Sequence, residues 1–256
     1  MLRTRQEERK KSGKLAMERK EARFAIMELA NMISVPMSLL AVINLNIPDI
    51  IWQSGANTPL TPSQILSKLT NGASADPQNL QRLLRMLASY DVFVEHSPSA
   101  EAERSYSLSE IGKTLVGDEE GLSHAAYVLQ HHQEAMLRAW PWLHESVLDP
   151  SVEPFARANG GLSAYQYYGE KPEMNDLMRK AMSGVSAPFM KAMLEGYAGG
   201  FEGVERLVDV GGSSGACLKM IMERNPQVKE GINFDRPEVV ARAPPAPGTT
   251  LLRIKL

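Results

Sequence analysis

Cysteine is almost absent. Cys217 is alone in 256 residues, which excludes an internal disulfide and points to a reducing compartment, expected to be cytoplasmic. No charge of one sign dominates. The formal net charge of -2 offers no general attraction to nucleic acid. No apolar run approaches the ~20 residues of a bilayer span, so no membrane segment is expected. The basic N-terminus is not followed by an apolar core, which argues against a secretory signal. Metal-ligand spacing is also missing. His131 and His132 are adjacent and would point about 100° apart on a helix, while His124 and His131 are two turns apart, too far for a compact chelate. What remains is ordinary globular composition, long enough for one large domain or two smaller ones.

The most informative stretch is Leu207-Val-Asp-Val-Gly-Gly-Ser-Ser-Gly215. Leu207 to Val210 reads as a short strand buried on both faces. Three glycines follow, and Ala216 to Arg224 carries helical spacing through Leu218, Ile221 and Met222. A second apolar piece, Gly231 to Phe234, runs into Asp235. Strand, glycine turn, helix, strand and terminal acid is the pattern that holds a nucleoside. Backbone N–H groups approach the ligand, and the carboxylate accepts from both ribose hydroxyls. The spacing is Gly-Gly-x-x-Gly, not the dinucleotide form Gly-x-Gly-x-x-Gly.

Residues 1–21 are rich in Arg, Lys and Glu and read as a solvated arm. From Ala22 to Trp52 the chain is nearly apolar. Phe24, Ile26, Met27, Leu29, Met32 and Ile33 surround a helix instead of striping it, so that helix must be buried here or in a partner. Pro36 is expected to break it, and a second helix runs to Pro48. A homodimer interface is the expectation. Thr61-Pro62 and Asp76-Pro77 start two more helices, the first to Leu69 before an Asn71-Gly72 turn, the second with Leu80, Leu83, Leu84 and Leu87 inward. Val92 to Val94 and Tyr106 to Leu108 follow as strands. Together these make a winged helix-turn-helix. Its second helix offers only Arg82 and Arg85 to phosphate, which favours a dimerisation scaffold over a DNA reader.

Leu122 to Leu148 reads as one long helical stretch, and His131, with Gln130 or Arg138, is a candidate to face a small-molecule pocket. Pro150 to Gly161 is a loop. Met174, Met178, Met182, Met190 and Met193 then recur along a helical stretch. Such thioethers serve as core filler or as a wall for a flat ring or sulfonium ligand, and the residues leave both open.

Taken together, the 207–215 motif, Gly231-Ile-Asn-Phe-Asp-Arg-Pro-Glu-Val-Val240 and the Phe201-Glu-Gly-Val204 lead-in resemble the plant S-adenosylmethionine-dependent methyltransferases of the caffeic acid O-methyltransferase type. Within that family, 26–39, Leu129 to Glu134 and Lys180 to Ser186 are most similar to the nicotinate N-methyltransferase branch. The resemblance implies an α/β protein. A winged-helix dimerisation domain (22–120) and a helical, pocket-lining connection (121–200) precede a Rossmann-like domain (201–256). It implies S-adenosylmethionine as cofactor, held by Asp209, Gly211, Gly212, Gly215, Asp235 and Ser186. It places His131, Tyr168, Met174, Met178 and Met182 around a small aromatic acceptor. Nicotinate is the acceptor implied first, with methylation giving trigonelline, and a phenol second. A phenol would need a general base. A pyridine nitrogen needs none, but its carboxylate needs a cation or donor, for which His131, His132 and Arg138 are candidates.

The family pattern continues after Gly248 with an adenine-binding segment, further strands and the base region. Here only residues 249–256 follow, and Arg236 stands where the family usually has Leu. The expectation is a truncated chain holding two strands of the sheet, with no catalytic base and little or no turnover. Such a chain would pair with itself or with a full-length sister chain.

Overall fold

Thr61 shows how the N-terminal region is punctuated. Its hydroxyl accepts from the Gln64 N–H at 3.2 Å, and the Gln64 side-chain oxygen accepts from the Thr61 N–H at 2.9 Å. This reciprocal box satisfies two amides that a helix start leaves unpaired. The structure, a computed structural model, describes residues 20–70, 74–97, 99, 103–119, 121–241 and 248–253. Most of the charged arm and the Asn71-Gly72 turn lie outside the described residues.

Residues 20–31 form α1, followed by a turn at Met32 and Ile33. Then come α2 (Ser34–Asn44) and α3 (Ile47–Gln53). The break falls at Met32 and Ile33, where a proline at 36 cannot donate to the carbonyl four residues back, as expected. Pro36 and Pro48 both sit in first turns, where a missing N–H breaks no helical bond. By length and composition the stretch Lys20–Asn44 is apolar enough to cross a membrane, with a mean hydropathy of 1.8 over an 18-residue window within it. This corrects the reading that no such run exists. Its second half is partly taken into the protein core, where Val42 and Ile43 are buried.

Next are α4 (Pro62–Leu66), shorter than expected, and α5 (Pro77–Ala88), capped by Asp76. Leu80, Leu84 and Leu87 form the buried stripe of α5, at the spacing of one helix face. Strands β1 (Phe93–His96) and β2 (Ser105–Leu108) pair antiparallel, with Phe93 opposite Leu108. Leu60 bridges to Tyr106. Ile47, Ile51, Ile65 and Leu84 are wholly buried in one core with Tyr106 of the wing. Arg85 is drawn into an ion pair with Glu95 of β1 at 3.4 Å, and Glu95 also accepts from the Tyr106 hydroxyl at 3.1 Å. Helix α6 (Glu110–Lys113) ends the region.

The expected long helix over Leu122–Leu148 resolves into pieces. They are α7 (Ala125–His131), α8 (Glu134–Leu137), a 3-10 turn at Trp140–Trp142 and α9 (Leu143–Leu148). Gln133 leaves helical geometry at ψ 153, and Pro141 falls in the 3-10 turn. The expected loop at 150–161 contains α10 (Pro154–Ala158). Helix α11 (Ala164–Glu170) opens on a Ser163–Gln166 capping box.

The 25-residue α12 (Pro172–Gly196) is the strut of the molecule. It packs along α7 on one side and against α13 (Ala216–Arg224) on the other. Gly184 makes the first contact close: a Cβ there would stand 2.5 Å from the Ser123 carbonyl oxygen.

The C-terminal sheet runs β3 (Arg206–Val210), β4 (Glu230–Asp235), β5 (Thr249–Arg253), all parallel and in that order, with α14 (Pro237–Val240) after β4. Two expectations are corrected. Among the described residues the sheet has three strands, because Thr249–Arg253 pairs parallel with β4 with only 13 residues between it and Asp235. And β3 is not buried on both faces. It is an edge strand among the described residues, with Val208 49% and Val210 71% exposed.

Candidate functional site

The glycine turn after β3 is built by alternating left-handed residues: Gly211 at φ 79, Ser213 at φ 52 and Gly215 at φ 76. Glycine takes such angles at no cost, whereas Ser213 must be held there. Its N–H donates to Asp235 Oδ2 at 2.9 Å, and its carbonyl accepts from Asn233 Nδ2 at 3.0 Å. Asn233 is fully buried in β4. Its Oδ1 has no hydrogen-bond partner, and it lies with the Asp209 carboxylate beneath Gly212, where any Cβ would collide with both. Burial, and then the charge of Asp235, raise Asp209 above the ordinary carboxylate range.

A cleft of about 620 Å³ opens above this turn, a size suited to small-molecule ligands. Gly211, Ser213, Ser214, Asp235 and Arg236 form one wall; Tyr165 and Tyr168 of α11 with Met178 and Met182 of α12 form the other. Asn175, Asp176 and Arg179 also line it. Arg179 is paired with Asp176 at 2.6 Å. The Arg236 guanidinium lies 4.2 Å over the Tyr165 ring and ties the two walls together.

The residues fit an adenosyl cofactor. Around the Gly211 Cβ position there is open space within 4 Å, so backbone there can meet a ligand directly. Each Asp235 oxygen accepts one backbone N–H, from Ser213 and from Arg236, and keeps lone pairs for hydroxyls. Helix α13 starts at Gly215 without a side-chain cap, leaving first-turn amides unpaired by side chains.

Of the residues assigned by resemblance, the cleft brings together Gly211, Asp235, Tyr168, Met178 and Met182. Asp209, Gly212 and Gly215 shape the turn from beneath and behind. Ser186 and Met174 flank the lining methionines one turn away on α12 and are not lining residues. His131 is not one either. Its Nδ1 donates to the Tyr127 carbonyl at 3.0 Å and its ring stacks on Tyr127 at 3.9 Å. His132 donates to the Val128 carbonyl, and Arg138 pairs with Glu134 at the surface. Cations line the cleft instead through Arg179 and Arg236. Sequence reasoning missed Tyr165, Asn175, Asn233 and Gln133. The Asn two residues before the acid was the only signal for the buried amide.

Comparison with known proteins gives the same architecture. Residues 27–118 match the O-methyltransferase dimerisation domain, and residues 140–251 match the O-methyltransferase domain. The chain belongs to the O-methyltransferase family. It is 65% identical over 233 residues to nicotinate N-methyltransferase 1 of Glycine max, covering 91% of this chain and 64% of that protein. It is 60% identical to the Arabidopsis thaliana protein of the same name, covering 91% and 65%. Identity to caffeic acid 3-O-methyltransferase of Eucalyptus gunnii is 38%, covering 89% and 62%. The chain thus spans just under two thirds of the length of these relatives. Human N-acetylserotonin methyltransferase, solved with SAM, shares the fold at a TM-score of 0.72 and 17% identity, covering 91% of this chain and 66% of that one.

Proposed function

We propose that this protein takes part in S-adenosylmethionine-dependent N-methylation of nicotinate, giving N-methylnicotinate. The observation that carries the reading is the cleft. A glycine turn and a ribose-ready carboxylate face an aromatic and thioether wall across a space of about 620 Å³. The higher identity to nicotinate than to caffeate methyltransferases supports the acceptor.

The cofactor supplies a sulfonium-activated methyl group. The protein aligns the acceptor nitrogen with it and excludes water. Gly211 offers backbone to the ligand and Asp235 accepts from the ribose hydroxyls. Tyr168, Met178 and Met182 provide a flat, polarizable surface for a pyridine ring. A base is not required, because the ring nitrogen carries its lone pair at neutral pH. The family's dimerisation domain supports self-association through α1. Pairing with a sister chain and a cytoplasmic location fit the same reading.

Because the chain spans just under two thirds of the length of its relatives, incubation of a full-length relative with labelled cofactor and equal nicotinate and caffeate tests it. Label is expected on nicotinate. Transfer to caffeate but not nicotinate removes the N-methyl reading.

A further inference from the structure

A buried polar cluster includes Tyr168 of the cleft wall. Tyr168 is 4% exposed and Gln130 5% exposed. The Tyr168 hydroxyl oxygen accepts from Gln130 Nε2 at 3.0 Å and from Gln133 Nε2 at 2.9 Å. Gln133 Nε2 also donates to the Gln130 backbone carbonyl at 3.0 Å. That last bond fixes the Gln133 amide, since its reversal would set oxygen against oxygen. The side-chain oxygens of Gln130 and Gln133 are buried without partners. Buried amides are rarely left so. The arrangement fills the lone pairs of the phenol oxygen and leaves its proton as the group to offer. Among the described residues that proton has no recorded acceptor. Reversing Gln130 would let its own oxygen take the proton, but would then leave the Gln130 N–H groups unpaired. As it stands, the cluster leaves the phenol proton without an acceptor and the two amide oxygens without donors.

We propose that the Tyr168 hydroxyl is the hydrogen-bond donor that reads the acceptor's carboxylate, with Gln133 and Gln130 as the residues that position it. This deepens the nicotinate reading and rests on it. Tyr168 is the member of the cluster that lines the cleft. Burial raises its phenol above the ordinary value, against the pull of the Gln130 bond, so the proton is retained at neutral pH. A carboxylate offers only acceptors and competes with the internal Gln130 oxygen. An uncharged ring without that group has nothing to accept the proton.

The test is calorimetric binding of nicotinate and of 3-methylpyridine to the chain saturated with S-adenosylhomocysteine. Tyr168→Phe is expected to weaken nicotinate about tenfold or more, as for loss of a hydrogen bond to a charged group. It should leave the affinities for 3-methylpyridine and S-adenosylhomocysteine unchanged. Gln133→Glu, whose carboxylate captures the phenol proton, should reproduce the nicotinate loss without removing the ring. Unchanged nicotinate affinity in Tyr168→Phe overturns the proposal, and so does equal loss of both pyridines, which would mark a packing role. If the unsubstituted chain holds S-adenosylhomocysteine but never nicotinate, the acceptor reading falls and this inference with it.

Discussion

Ser213 is the residue on which the glycine turn depends. It sits at φ 52, where a side chain costs roughly 1–2 kcal/mol, and bonds to Asp235 and Asn233 keep it there. Ser213→Gly keeps both backbone bonds and removes the strain. It is expected to raise stability by up to about 1 kcal/mol, read as a higher denaturant midpoint at unchanged slope. Asp209 gives a pH signature. Its folded value is raised, first by burial and then by Asp235. The folded chain therefore binds the extra proton above the ordinary carboxylate range, and this contribution to stability is lost as pH rises through that window. Asp209→Asn should gain melting temperature relative to the parent at pH 7, and the gain should shrink toward pH 4. A gain independent of pH would contradict the assignment. The residues of this turn were legible because strand, glycine and acid follow one another in the chain. His131 was misplaced because helical position alone does not say that its ring would stack on Tyr127, one turn back. Gln133 was invisible because its partners are Gln130, three residues away, and Tyr168, thirty-five residues on.

Among elements, α12 joins the two halves. Gly184 lets it approach the backbone at Ser123. Gly184→Ala puts a methyl against a carbonyl oxygen that cannot swing aside, and should cost about 1–3 kcal/mol and loosen the cleft wall. Gly196→Ala, at the end of the same helix with open space around it, should be neutral or stabilising. Equal effects at the two positions would show that α12 does not depend on this approach. Capping and periodicity made α4, α5 and α13 readable in advance, since Thr61, Asp76 and the three glycines act locally. The breaks at Gln133 and Pro141 are less local. A run rich in helix formers gave way where the Gln133 side chain bonds Tyr168, so tertiary contact outweighed propensity. The third strand was missed for a related reason. A full crossover was assumed where a 13-residue return, including α14, suffices.

At the scale of the whole molecule, α1 carries a run of exposed apolar side chains. Phe24, Ile26, Met27 and Leu29 of α1 and Ile33 of the turn after it are each more than half exposed, in a segment that overlaps the dimerisation domain match. Sedimentation at micromolar concentration should give a dimer, and Leu29→Glu with Ile33→Glu should give a folded monomer. A monomeric parent chain would remove the interface. On the proposed function, the amides after Val210 and the carboxylate of Asp235 hold an adenosyl sulfonium. Calorimetric titration of the parent chain and of Asp235→Asn with S-adenosylmethionine addresses it most directly. Saturable one-site binding by the parent is expected, weakened about tenfold or more when the charge at 235 is removed. No uptake by the parent, or equal uptake by both proteins, would contradict the claim.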